Sequence, residues 1–266
     1  MEIALWTEWP QMLADLPKLG EVLTVSNNPS AILGRSAEYP EPEFCCSALH
    51  ARSACGSYEI DFQPWKSALA VSEERPEGFA HFIEFRDYRG VVIHKICLTE
   101  KSRGEAFVAW VEDHQSLGVG PLRPETLLGS RWRNIQQRHW FGLEESEEVP
   151  VDSMENLLRA ALEQEMPVRM ITGNDGVVQA AEMTPRRICP SGDWVFVSDD
   201  RTGLHFAPAN IGSVIIHHLP ERSSEHPLSV LKCFDDEGEL CLAVTPPRAS
   251  AIPAWNTLLH SVIPEF

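Results

Sequence analysis

Ile83-Glu84-Phe85-Arg86-Asp87-Tyr88-Arg89-Gly90-Val91 reads as a strand, a turn carrying Asp and Gly, and a second strand. The plan returns as Leu231-Lys232-Cys233-Phe234-Asp235-Asp236-Glu237-Gly238-Glu239. Asp and Gly between apolar runs are the signature of a hairpin, because both tolerate the backbone a tight turn needs. A second pair supports the first. Val25-Ser26-Asn27-Asn28-Pro29-Ser30-Ala31-Ile32 is an apolar stretch, an Asn-containing turn and a second apolar stretch, and Thr172-Gly173-Asn174-Asp175-Gly176-Val177-Val178 repeats it about 146 residues later. Each half then closes with an amphipathic helix. Phe107, Trp110 and Val111 share one face in the first half; Trp255, Leu258, Leu259 and Val262 share one in the second. A shared order of elements, more than any single pair, points to internal duplication.

Working outward gives the rest of the chain. A short helix is expected near residues 8–16, and strands near 22–25, 31–33, 58–62, 68–71, 82–85 and 91–98. Residues 40–56, rich in Pro and Cys, read as a loop. Glu144-Glu145-Ser146-Glu147-Glu148 reads as a solvated acidic loop. Asp152 and Glu155 have capping-box spacing ahead of a helix whose stripe is Met154, Leu157, Leu158, Ala161 and Leu162. Strands joined as hairpins, without strict alternation of strand and helix, predict an α+β fold. Two mostly antiparallel sheets pack together in it, with flanking helices. The expected boundaries are a first repeat over 1–128, a connecting helical segment over 129–166 and a second repeat over 167–266.

Composition narrows the function classes. The chain has 266 residues and a formal net charge of -17, which opposes binding to nucleic acid or anionic membranes, since both need a basic face. No apolar run is long enough to span a bilayer, and Met1-Glu2-Ile3-Ala4-Leu5-Trp6 lacks the features of a signal peptide. Seven cysteines without a signal fit reduced thiols. A cytoplasmic protein is expected. No Walker loop, Gly-x-Gly-x-x-Gly, Gly-x-Ser-x-Gly or His-Glu-x-x-His motif occurs. Cys45, Cys46, His50 and Cys55 cluster, but adjacent cysteines lack zinc-knuckle spacing and read as free thiols. His94 reads as structural. His217 and His218, adjacent on a strand, point to opposite faces and do not chelate one metal together.

The segment Ser130-Arg131-Trp132-Arg133-Asn134-Ile135-Gln136-Gln137-Arg138-His139-Trp140-Phe141 joins the halves. A histidine flanked by large aromatics is what a cleft needs to hold haem: imidazole for the iron, rings for the macrocycle and arginines for the propionates.

These residues resemble the haem-utilisation proteins of the HemS/ChuS type, the haemin-degrading factors, over nearly the whole chain. Leu19-Gly20-Glu21-Val22-Leu23 is similar to the family's opening strand. Gly90-Val91-Val92-Ile93-His94-Lys95-Ile96-Cys97-Leu98-Thr99 is similar to its Gly-x-Ala-Val-His-Lys-Ile-Tyr-Leu motif. Trp132-Arg133 with His139 and Phe141 resembles its Trp-Arg…His-x-Phe segment, and Gly192-Asp193-Trp194, Leu204-His205-Phe206 and Phe234-Asp235 with Gly238-Glu239 match its second half. The resemblance implies paired halves, haem as ligand and His139 as axial ligand to the iron. Phe141, Ile83 and Arg133 are then further haem contacts. It implies as partners haem and a haem oxygenase or haem importer. The oligomeric state is left open.

The departures matter too. The family's extra N-terminal helical region is expected to be missing. His81 aligns where the family has a distal arginine, so it is a candidate distal ligand; Leu33 stands where many first halves carry a histidine, and His218-Leu219 replaces an Arg-Lys pair. Three readings follow: a carrier of imported haem, a haem-degrading oxygenase-like enzyme, and a shortened relative that has lost haem and acts through protein interactions.

Overall fold

The computed structural model describes residues 1–45, 48–76, 78–116, 146–219 and 227–263. The first half runs β1 (Glu2–Ala4), α1 (Trp9–Asp15), β2 (Gly20–Asn27), β3 (Ala31–Glu38), β4 (Pro42–Cys45), β5 (Ala48–Ser53), β6 (Gly56–Asp61), β7 (Trp65–Arg75), β8 (Gly78–Asp87), β9 (Val92–Ser102) and α2 (Gly104–His114). The second half runs β10 (Ser146–Val149), α3 (Ser153–Glu163), β11 (Val168–Gly173), β12 (Val177–Met183), β13 (Arg187–Ser191), β14 (Trp194–Ser198), β15 (Thr202–Phe206), β16 (Ser213–Leu219), β17 (Leu228–Phe234), β18 (Leu240–Thr245) and α4 (Ile252–Val262). Both halves read strand, helix, eight strands, helix.

Two nine-stranded sheets result, in the orders β1-β7-β8-β9-β2-β3-β15-β14-β13 and β10-β16-β17-β18-β11-β12-β6-β5-β4. Exchanging each strand for its counterpart converts one order into the other, so the duplication holds strand by strand. The ladders of β8 with β7 and β9, and of β17 with β16 and β18, are antiparallel, as hairpins require.

The repeated turns share their chemistry. Asp87 Oδ1 accepts the N–H groups of Arg89 and Val91 at 2.8 and 2.9 Å, and Gly90 takes φ 81°. Asp235 Oδ1 accepts those of Glu237 and Glu239 at 3.0 and 2.8 Å, with Gly238 at φ 78°. Only glycine adopts that left-handed backbone without strain. The asparagines are matched as well. Asn28 Oδ1 accepts from Ser30 and Ala31, while its Nδ2 donates to the Cys241 carbonyl at 2.8 Å. Asn174 Oδ1 accepts from Gly176 and Val177, and its Nδ2 donates to the Ile93 carbonyl at 2.8 Å.

The chain forms two compact units. Unit 1 comprises Met1–Ser26, Gly34–Asn134 and Asn174–Gln179; unit 2 comprises Asn27–Leu33, Ile135–Gly173 and Ala180–Phe266. Each unit has its own apolar core. In unit 1 it gathers Trp9, Leu13 and Leu16 around α1, Trp110 and Val111 of α2, and Leu49, Ile60, Ile83, Phe85 and Ile96 from the strands. In unit 2 it gathers Met154, Leu157 and Leu158 of α3, Trp255 and Leu258 of α4, and Met170, Leu204, Leu231 and Val244 from the strands.

Three local expectations are corrected. Residues 40–56 are largely strand, because Leu49 and Ala51 alternate inward beneath the Pro and Cys content, and Pro42 opens β4 where a missing N–H is tolerated. The acidic run enters β10, which pairs with β16 as the outermost strand of its sheet. Charge suits an edge strand, and Val149 alone of its residues is buried. Asp152 makes no side-chain cap, since it already has helical φ and ψ, and Glu155 is engaged with Arg159 at 2.5 Å.

His94 is one of several polar side chains buried in unit 1. It is fully buried among Tyr39, Tyr58, Trp65 and Phe85, and burial pushes its imidazole down from 6.5 to about 3. The unfolded chain therefore takes up a proton that the fold refuses. Stability from this group is complete above about pH 6.5 and is lost as pH falls toward 3, with a slope on the order of 1.4 kcal/mol per pH unit. Urea unfolding of His94→Leu should show a pH dependence shallower by about that slope between pH 6 and 4. An unchanged pH profile would assign the acid sensitivity elsewhere.

Candidate functional site

His81 sits on β8, paired across the ladder with Ser72 of β7. The Ser72 hydroxyl lies 2.8 Å from His81 Nδ1, which fixes the ring and leaves Nε2 directed elsewhere. The half-buried imidazole lies between Phe107 of α2, 5.7 Å away between ring centroids, and Phe79 at 6.3 Å. Phe79 is 66% exposed, so this aromatic group marks the place where the core of unit 1 reaches solvent. Ile83, two residues on and on the same face of β8, is fully buried within that core.

The opposite face of β8 is charged yet shielded. Burial alone would raise the Glu84 carboxyl, but hydrogen bonds from Arg86 and Lys95 outweigh it and hold the carboxyl below its ordinary value. Arg86 lies 2.6 Å and Lys95 3.1 Å from it. The Lys95 ammonium also rests 3.4 Å from the centroid of the Phe82 ring, close enough for a cation–π contact. Cys97, across from Phe82, is pushed up by burial and stays a thiol.

Unit 2 carries a related face on β17. Lys232 stands at the position matching Glu84 and is only 1% exposed, with Ile215 and Ala243 as its ladder neighbours. His217, across from Val230, is pushed down to about 4 by burial, by Lys232 and by His218. His218 turns the other way, its Nδ1 3.0 Å from Ser229 Oγ, as strand alternation requires. Among the described residues, no group of three or more His, Cys, Asp or Glu side chains is placed to hold a metal ion. Cys46 of the cysteine cluster lies outside the described residues, as do His139, Phe141 and Arg133.

The family model described as "Haemin-degrading HemS.ChuX domain" matches residues 2–114 and 133–262. This chain belongs to that family. The second matched stretch begins at Arg133 and so includes His139 and Phe141. The chain is 25% identical to the "Hemin transport protein HmuS" of Yersinia pestis over 92% of its own length and 80% of that protein. It is 23% identical to the "Hemin transport protein HemS" of Yersinia enterocolitica, over 79% and 71%. Its fold is similar to that of holo-PhuS, a heme-binding protein from Pseudomonas aeruginosa, with TM-score 0.83, 19% identity and coverage of 98% and 86%. It is also similar to ChuS, an E. coli heme oxygenase, with TM-score 0.85, 16% identity and coverage of 99% and 89%. Family membership and the duplicated α+β fold thus agree with the reading from the paired hairpins.

The family resemblance made His81 a candidate but did not point to Ser72 or Phe107, which contact its ring. Their signal was available: a serine across a hairpin and an aromatic on the first turn of a following helix. The shielded ion group of Glu84, Arg86 and Lys95 was missed altogether, since three charges alternating in strands read as a solvated face. Truncation tests it. Glu84→Ala leaves two cations without their carboxylate, and should lower stability by about 1–3 kcal/mol in urea unfolding. A change below about 0.5 kcal/mol would show a solvated surface group.

Proposed function

We propose that this protein binds haem through histidine ligation and carries it in the cytoplasm between an importer and a degrading enzyme. The family match across both halves is the observation that supports this most. In this reading His139 is the axial ligand and His81 the second, distal one. Phe141 covers the macrocycle, Arg133 meets a propionate, and Ile83 backs the wall behind His81.

The local geometry at His81 fits the role. A ligating imidazole uses one nitrogen for the metal and has the other held by a hydrogen bond, which sets its tautomer and orientation. Ser72 supplies that hydrogen bond at Nδ1, so Nε2 is the ligating nitrogen. Phe79 and Phe107 give the ring an apolar setting suited to a porphyrin face. Haem contributes the iron; the protein orients it and limits water around it. Ligation at both axial positions would leave no site for oxygen, which favours carriage over degradation. The similarity to ChuS, itself a heme oxygenase, keeps the enzyme as a second reading, and ascorbate under air separates the two. Among the described residues no helix is long and apolar enough to cross a membrane.

Titration of the apo-protein with haemin should give a saturable, shifted Soret band at about one haem per chain. His139→Ala should move that band and speed haem loss without altering the far-UV circular dichroism. Ser72→Ala, which removes the hydroxyl beside His81 Nδ1 and leaves the backbone bonds of Ser72 to Met1, should weaken binding by about tenfold or more. A non-saturating spectrum identical to free haemin would end the haem reading, and unchanged binding in Ser72→Ala would remove His81 from it.

A further inference from the structure

The two units build their interiors on the same strand positions with opposite chemistry. Thr24, Arg35, Tyr58, His94 and Gln179 are buried in unit 1. The matching positions of unit 2 hold Met170, Ala181, Leu204, Leu242 and Leu33, and all five belong to its apolar core. The correspondence follows from the asparagine turns, since Asn174 bonds the Ile93 carbonyl next to His94 and Asn28 bonds the Cys241 carbonyl next to Leu242. Apolar side chains thus satisfy this fold at every one of these positions. Unit 1 nevertheless carries polar groups at all of them.

Two of those residues, and Tyr39 beside them, have polar atoms with no hydrogen-bond partner among the described residues. They are His94 Nε2, both Gln179 Oε1 and Nε2, and Tyr39 Oη. His94 and Gln179 are 0% exposed and Tyr39 is 2% exposed. The three lie close together. Tyr39 stacks on Tyr58 at 5.1 Å, and the His94 ring is 6.2 Å from Tyr39 and 5.8 Å from Tyr58. Asp61 N donates to Gly176 O at 3.1 Å, and running the antiparallel strands β6 and β12 on from there sets Gln179 across from Tyr58. The remaining polar atoms are engaged. Tyr58 Oη is 2.5 Å from Thr24 Oγ1, Arg35 donates to the Cys55 carbonyl, and His94 Nδ1 lies 3.0 Å from Ser26 Oγ. Nδ1 is thus engaged, and Nε2 is the ring nitrogen without a partner among the described residues.

A buried polar group without a partner is costly, and native interiors pair such groups with water where protein does not reach. A buried water needs two to four polar partners. Here an imidazole nitrogen, a phenol that donates or accepts, and a carboxamide that does both supply them. The ring of His94 is neutral and Arg35 Nη1 bonds the Cys55 carbonyl, which favours an uncharged guest. We propose that unit 1 encloses an internal polar site that holds ordered water, hydrogen-bonded to His94 Nε2, Tyr39 Oη and the Gln179 carboxamide. Unit 2, with leucine at the matching positions, has a dry core.

A high-resolution crystal structure of the full chain, without haem, tests this directly. Expected are water peaks within hydrogen-bonding distance of His94 Nε2, Tyr39 Oη and Gln179, and none around Leu33, Leu204 and Leu242. Gln179→Leu, which copies Leu33, should remove at least one peak and lower Tm by about 2–6 °C. A direct bond from Tyr39 Oη to His94 or Gln179 with no water overturns the proposal. So does density for a larger molecule, or a Gln179→Leu variant with raised Tm. None of these outcomes depends on whether haem binds.

Discussion

The carboxamides of Asn28 and Asn174 are the constraint on which the duplicated fold turns. Each accepts two backbone N–H groups on its oxygen, closing its own hairpin, and donates from its nitrogen to a strand carbonyl far along the chain. The turn of Asn28, within Asn27–Leu33, belongs to unit 2 and that of Asn174, within Asn174–Gln179, to unit 1, so neither unit is completed by one half of the sequence alone. A residue with only donors or only acceptors cannot do both tasks. This explains why asparagine occupies both places while the flanking residues differ.

Much of this was legible beforehand, and the reasons are physical. Asp87 with Gly90, and Asp235 with Gly238, announce turns because their chemistry is local: a carboxylate accepting neighbouring N–H groups and a glycine at positive φ. The helical stripes of α2, α3 and α4 were equally readable, as burial follows spacing. What could not be read depends on partners distant in sequence. The strand character of β10 rests on pairing with β16. For β4 and β5 the partners are near, β5 and β6, but the Pro and Cys content masks them. Asp152 and Glu155 had capping-box spacing, yet Arg159 claimed the glutamate.

The site divides in the same way. His81 emerged from family resemblance, while Ser72 and Phe107, which give its ring an orientation and an apolar setting, emerged only from the fold. His94 was read as structural, and it is the buried centre of an aromatic cluster. Nothing in its local sequence says that the matching residue of the second unit is leucine; the alignment of β9 with β18 through the asparagine contacts says it. Duplication thus serves as an internal control, since one fold solved twice shows which polar groups the fold itself does not require.

The proposed role of His81, oriented by Ser72, is as one of two histidines that hold haem. A crystal structure of the haem-loaded protein tests it most directly. The account predicts iron between His139 on one face of the porphyrin and His81 Nε2 on the other, with His81 Nδ1 still bonded to Ser72. Iron ligated by neither histidine, or haem bound at a site remote from His81, would contradict it.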